Sequence, residues 1–320
     1  MLFGGGNQKE TYMNSEHPQI SVCVCTYKRP NRLLILLKSL ADQTIGLSDF
    51  EVVVVDNDQM ASARDVVAEF KKNNPEMNIR YDVEPMQGIS YARNRTVNMA
   101  TGELIAFIDD DEIAVCHWIE HLVACMQLHK ADAVMGPVIA TYSQGTPQWI
   151  IQSRFFERKR FPTGIELGWG DGHTGNALVK AFWAKKRQPQ PFDIRLALSG
   201  GEDTDFFKWI ESNGGKFTWC DSAEVSEDVP VDRQTLRFML ERSLISSATY
   251  WRPHYEQHSR LWSYCHASLG LAKAVYLAIL GIVKLPFGLA GAAYAWSGGA
   301  KAFGRFAALI KVELVSYEKK

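Results

Sequence analysis

The stretch EVVVVDND, residues 51–58, decides the fold. Four consecutive valines are what a strand buried on both faces needs, because both sides of its pleat then meet apolar packing. The polar triplet Asp56-Asn57-Asp58 stops it at once. The same grammar continues outward. Residues 20–25 are a second β-rich run, and residues 32–41 carry leucines on a helical period. Residues 61–72 and 90–100 read as helices, and residues 79–83 and 104–108 as strands. Strands alternating with helices predict a parallel, doubly wound α/β sheet. Ligands of such sheets sit outside the carboxyl ends of the strands, so the residues just after each strand carry the functional reading.

Those residues are polar or acidic after three of the first four strands. They are Thr26-Tyr27-Lys28-Arg29-Pro30, Asp56-Asn57-Asp58 and Asp109-Asp110-Asp111-Glu112. Carboxylates packed as closely as Asp109 to Asp111 repel one another unless a cation neutralises them. A hard divalent ion holding phosphate oxygens is one natural partner, and an acidic cap for the next helix is the other reading. Asp56 suits a nucleobase N–H or a ribose hydroxyl, and equally an Asx turn. Arg93, at the helix opening GISYARN, suits an anionic group or plain solvation. Glu202 and Asp203 follow Gly200-Gly201 at a helix start, where one can serve as general base or both can cap the helix.

Farther along, residues 131–135, 173–179 and 217–220 read as strands, and residues 204–211 and 232–250 as helices. Residues 141–172 are long, irregular and rich in Gly, Pro, Trp and Arg, as functional loops are. Trp149, Trp169 and Trp183 suit either sugar stacking or the core. The six cysteines show no CxxC spacing, against a zinc site, and residues 1–19 lack the apolar segment of a signal peptide. A reduced, cytoplasmic setting is the expectation. The chain of 320 residues has a formal charge of −1, which excludes a general nucleic-acid binder. The sum hides a division. Residues 229–320 hold 12 Lys/Arg against 5 Asp/Glu, a net of +7, and the remainder carries −8.

Taken together, VCVCTYKRPNRLLILLKSLADQT, EVVVVDND, EPMQGISYARN, FIDDDE, GNALV, GGEDTDFF and EDVPVDR resemble the family 2 glycosyltransferases, in the family's order, over about two-thirds of the chain. Among these the chain looks most like bacterial exopolysaccharide enzymes of the succinoglycan type. The resemblance implies the GT-A fold, a doubly wound mixed sheet. It implies an inverting hexosyltransferase that moves a sugar from a nucleotide-diphosphate sugar, here a UDP-sugar, to a hydroxyl of a lipid-linked saccharide. Donor binding falls to Thr26, Tyr27, Arg29, Asp56, Arg93, Asn94, Asp109 and Asp110. Asp109 and Asp111 match the outer positions of the DxD metal motif, for Mn²⁺ or Mg²⁺. Asp203 matches the catalytic base, with Glu202 beside it. Arg233 and Arg242 fall where relatives close over the diphosphate. Many relatives read His-Glu-Val-Pro where this chain has Glu227-Asp228-Val229-Pro230, which makes Glu227 a third metal candidate.

No acidic residue occurs between 257 and 312, where Arg260, Lys273, Lys284, Lys301, Arg305 and Lys311 punctuate an apolar composition. The expected division is a tail at 1–19, a catalytic domain at 20–255 and a basic apolar helical tail at 256–320. A basic amphipathic helix pair on an anionic membrane surface, at the cytoplasmic face of the inner membrane, fits the tail. A re-entrant hairpin and a helix pair packed on the catalytic domain are the other readings. Two other functions stand beside the transferase: a nucleotidyltransferase, which would carry a Gly-rich loop after the first strand, and a non-catalytic sugar- or lipid-binding membrane protein.

Overall fold

In a computed structural model, which describes residues 19–187 and 189–310, the valine run becomes the interior strand that its composition demands. The expected tail at 1–19, apart from Gln19, and the segment 311–320 with Lys311 lie outside the described residues. Strand β1 (Ile20–Thr26) is followed by α1 (Pro30–Ala41) and β2 (Phe50–Asp56). All seven residues of β2 are buried. Then come α2 (Arg64–Asn73), β3 (Asn78–Val83), α3 (Ile89–Met99) and β4 (Leu104–Ile108). A short β5 (Glu112–Ala114), α4 (Trp118–His129), β6 (Ala133–Met135) and β7 (Val138–Thr141) lead into the stretch 141–172, which holds α5 (Gln148–Ser153) and the two-residue β8 (Glu166–Leu167) where an irregular loop was expected. Beyond it lie β9 (Asn176–Lys180), α6 (Ala181–Lys186), α7 (Glu202–Ser212), β10 (Phe217–Trp219) and β11 (Val225–Asp228).

The main sheet has the order β3-β2-β1-β4-β9-β6-β10-β8, and β5-β11-β7 form a small second sheet. Strands β1 to β4 are parallel, as the alternation of strands and helices predicts. β9 runs antiparallel between β4 and β6, so the sheet is mixed. Alternation within each strand feeds two cores. Val22, Val24, Val52 and Val54 pack with Leu33, Leu36, Leu37 and Trp118 on one face. Cys23, Val53, Ile105 and Phe107 pack with Trp183, Phe206 and Phe207 on the other. The helix expected from residue 61 begins only at Arg64. Ala61 has φ +55°, and the turn around it delivers the Asp58 and Ala63 N–H groups to the Asp56 carboxylate.

The rear of the described chain holds three long helices, α8 (Leu236–Gln257) and, in the tail, α9 (Arg260–Lys284) and α10 (Leu289–Leu309). The expected helix from residue 232 starts four residues later. Pro230 leads into a 3-10 turn at Val231–Arg233, and the Thr235 hydroxyl accepts from the Phe238 N–H as an N-cap. α8 runs unbroken through residue 255. Of the helix pair expected on a membrane surface, α10 is instead packed between α8 and α9 and against α5. Its small residues permit this. A Cβ on Gly304 would lie 2.6 Å from Ser247 Cβ, and one on Gly270 of α9 would lie 2.8 Å from the Ala302 carbonyl. Of the three, α9 keeps a continuous apolar face to the outside.

Glu51, 1% exposed, breaks the apolar rule of β2 and shows how a buried charge is kept. Its carboxylate accepts from the Ser21 hydroxyl, the Thr101 N–H and hydroxyl, and Arg80. Burial pushes its pKa up, but these donors outweigh burial and hold it below the ordinary value. A lowered pKa contributes stability above the unfolded value that is lost as pH falls through the folded one. Glu51→Ala should cost about 3 kcal/mol in urea unfolding at neutral pH. Glu51→Gln should flatten the acid limb of stability against pH. Unchanged stability in both variants would contradict this account.

Candidate active site

Parallel registration brings three strand ends to one edge of the sheet, with Thr26 opposite Asp56 and β4 beside β1. Asp56 is fully buried. Its Oδ1 accepts from the Asp58 N–H, and its Oδ2 accepts from the Ala63 N–H and the Tyr81 hydroxyl. One lone pair of about four therefore remains for a ligand. Asn57 clamps the next loop by donating to the Glu84 and Met86 carbonyls and accepting from the Gly88 N–H.

The acidic loop after β4 is neutralised by arginines. The Thr26 hydroxyl donates to Asp110 Oδ2 at 2.7 Å. Arg29 bonds Asp110 at 3.2 Å and Asp111 at 2.9 Å, and Arg32 stands between Asp111 and Asp228. Burial still pushes the Asp110 carboxyl up to about 6, against the pull of Arg29. Glu112 turns inward. Its Oε2 accepts from the Asp109 N–H, and its Oε1 is buried without a partner among the described residues.

Arg93 is the centre of the site. Only 8% exposed, it reaches from α3 to Glu202 and to Asp109, the latter at 3.5 Å. Its guanidinium is held above its ordinary pKa; burial opposes this, and Glu202, Asp109 and Asp203 overcome it. Burial lifts the Glu202 carboxyl above the ordinary range despite Arg93. Gly200 and Gly201, at φ +78° and +91°, turn the chain sharply into α7 so that Glu202 and Asp203 open the helix. Asp203 accepts from the Thr204 N–H and hydroxyl through Oδ1 alone. Burial pulls His173 down to about 4, aided by Arg158, so its ring is neutral, and its Nδ1 has no partner among the described residues.

The small sheet adds a second acidic side chain. Glu227 sits opposite Glu112 in the β5–β11 pair and is held by Arg158 at 2.8 Å and Arg233 at 3.4 Å. Gly175 leaves space beside Glu112 and Asp109 that the Arg158 guanidinium also borders. A Cβ there would lie 2.8 Å from Glu112 Oε1 and 3.3 Å from Asp109 Oδ2. Among the described residues, no three His, Cys, Asp or Glu side chains form a ready-made metal cage. Mg²⁺-type sites need none, since they take one or two carboxylates together with substrate phosphate and water. Carboxylate oxygens, one of them buried and unpartnered, and the space left by Gly175 would fit such an ion in place of the Arg158 guanidinium that now borders it.

Other expected residues are placed differently. Asn94 turns to residues 190–192, donating to Gln190 and the Phe192 carbonyl and accepting from the Phe192 N–H. Tyr27 lies under Lys28. Arg242 is exposed on α8, outside the ion pairs found among the described residues. Trp183 is buried in the second core, Trp149 packs beside Ile150, and Trp169 stacks on Tyr250. Sequence reasoning missed Arg158, His173 and Arg32, and placed Glu112 in the acidic run without a role of its own. The arginine content of the 141–172 loop was the one signal for Arg158.

Residues 21–187 match the model of the family described as Glycosyl transferase family 2. The chain is 33% identical over 275 residues to the succinoglycan biosynthesis protein ExoM of Rhizobium meliloti, covering 86% of this chain and 87% of that protein. It is 29% identical over 133 residues to glycosyltransferase AglE of Haloferax volcanii, 42% of this chain and 43% of that one. Among solved structures, the mannosyltransferase PcManGT of Pyrobaculum calidifontis, in complex with GDP-Man and Mn²⁺, superposes with a TM-score of 0.56 at 16% identity, over 90% of this chain and 88% of that one. S. aureus TarS 1–349 in complex with UDP-GlcNAc superposes at 0.54 and 18% identity, over 89% of both chains. These likenesses carry the GT-A fold.

The Arg93–Glu202 contact is testable by a double-mutant cycle. Arg93→Met leaves a buried carboxylate unpaired and should cost about 3–5 kcal/mol. Adding Glu202→Met should recover most of that stability without restoring turnover. A double variant no more stable than Arg93→Met would show that the pair does not hold this edge together.

Proposed function

The chain belongs to glycosyl transferase family 2, and from that premise we propose that its acidic edge transfers a hexosyl group from a UDP-sugar to a saccharide hydroxyl with inversion. It is a glycosyltransferase of nucleotide-sugar-dependent polysaccharide biosynthesis. The observation that carries the reading is Arg93, which joins the acidic loop after β4 to the Glu202-Asp203 helix start through one buried guanidinium. We assign catalysis to residues 20–255 and membrane attachment to 256–320.

In this reading Asp56 contacts the nucleobase with its remaining lone pair, beside Thr26 and Tyr27. Asp109 and Asp111 hold a divalent ion, Mn²⁺ or Mg²⁺, with Glu227 a further candidate ligand. When bound, that ion neutralises the diphosphate and the charge developing on it. Arg29, now spread over Asp110 and Asp111, is free to turn to the diphosphate once those carboxylates have another counter-charge, and Arg233 can do the same from Glu227. Asp203 accepts the proton of the acceptor hydroxyl through its less engaged oxygen. The hydroxyl oxygen then bonds to the anomeric carbon as the bond to the diphosphate breaks, and the electron pair leaves with the nucleoside diphosphate. Glu202 keeps Arg93 in place. The acceptor is a lipid-linked saccharide at the cytoplasmic face of an anionic membrane, which the cations of the tail and the apolar outer face of α9 support.

Asp203→Asn should lower turnover about a thousandfold while UDP affinity changes little. EDTA should stop transfer, and Mn²⁺ or Mg²⁺ should restore it. A panel of nucleotide sugars, read by release of the nucleoside diphosphate, identifies the donor. Normal turnover of Asp203→Asn would remove the base assignment, and full activity in chelator would remove the metal.

A further inference from the structure

We infer that α9 lies in the plane of one membrane leaflet with a single face inserted, carrying the catalytic domain on its other side. The inference deepens the proposed membrane partner and rests on it. The helix is about 38 Å long at 1.5 Å per residue. Its Ser263, Ala267, Gly270 and Gly281 side is buried against α10. The opposite side is open and apolar along the whole length. Leu261 is 75% exposed, Leu269 68% and Phe287, just beyond the helix, 89%, with Val275, Ile279 and Val283 between them. The most apolar 18 residues between Arg260 and Phe287 have a mean hydropathy of 1.7 and only 11% of them are buried, which is not the pattern of a core helix.

Charge placement selects the occupant. At 3.6 residues per turn, Leu261, Ile279 and Val283 fall within about 40° of one line, and Lys273 and Lys284 lie within about 20° of each other on its flank. Apolar residues below, lysines at the border and no acidic residue from 257 to 312 complement a lipid surface bearing anionic headgroups. A crossing is excluded by the packing. α9 touches α10 along its length, and α10 is wedged on α8. Arg305 of α10 covers the ring of Trp251 on α8. A spanning α9 would draw Lys301, Arg305 and the charged side chains of α8 into hydrocarbon. Lying flat, it buries its outer face and leaves those charges on the water side.

Cys265 lies on the outer face and is exposed, which supplies a native labelling site once Cys116 is changed to Ser. The full chain is labelled with an environment-sensitive dye at Cys265 or at single cysteines placed as Leu261→Cys, Ala272→Cys, Ile279→Cys and Val283→Cys. Leu277→Cys serves as the inner-face control. Vesicles of phosphatidylcholine with phosphatidylglycerol, carrying quenchers at known depths, give the readout. The expected pattern is one shallow depth for every outer-face site from 261 to 283, with Leu277→Cys unchanged by vesicles. A depth maximum mid-helix with shallow ends means a span and overturns the inference while leaving the membrane partner standing. Outer sites already shielded without vesicles, in a concentration-dependent dimer, mean a second copy is the occupant and also overturn it. No vesicle binding overturns the membrane partner as well. Ile279→Asp combined with Val283→Asp should lower vesicle partition about tenfold or more, with nucleotide release from the donor retained. Wild-type partition of that variant would overturn the inference.

Discussion

A guanidinium buried among carboxylates is the constraint on which the rest of this structure depends. Arg93 leaves water only because Glu202 and Asp109 accept it, and those carboxylates are tolerated at the sheet edge because Arg93 is there. The contact ties α3 to the start of α7, elements more than a hundred residues apart in sequence. It therefore sets the distance between the acidic loop after β4 and the carboxylates that open α7. The glycine pair before α7, the closure of α8 over Gly201, and the Asn94 clamp on residues 190–192 all keep that geometry in place.

Around this centre the site is a matched set of opposite charges. Asp110 and Asp111 have Arg29, Asp111 also has Arg32, and Glu227 has Arg158 and Arg233. Only Arg233 comes from the basic rear of the chain. The acidic front thus carries most of its own counter-charges, and the excess of cations behind residue 229 is left for the tail. These arginines are the counter-charges that the carboxylates have among the described residues.

The tail repeats the lesson of packing at larger scale. Composition alone made α9 and α10 look alike, both apolar and cationic. The difference is size. The Ala, Gly and Ser of α10 let helices approach closely on several sides, so it disappears into the bundle. The leucines, isoleucines and valines of α9 have an inner face of small residues and an outer face with nothing to cover it. Periodicity identifies each helix, but which face meets protein depends on partners far away in sequence.

Local pattern by itself determined the alternating strands and helices, the polar and acidic residues that follow the strands, and the identity of the acidic triplet and the Glu202-Asp203 pair. These are readings of period and of charge beside an apolar run, and both are written in neighbouring residues. Tertiary structure alone decided the antiparallel insertion of β9, because a strand's direction is set by its partners. It alone brought Arg158 and His173 to the carboxylates and turned Glu112 inward, since Arg158 and His173 look like any loop residue until folding removes their water. It also turned Asn94 away from the edge and into a clamp. Hydrophobic periodicity is local and survives in the sequence. The pairing of a buried charge is a relation between distant residues, and only the folded chain contains it.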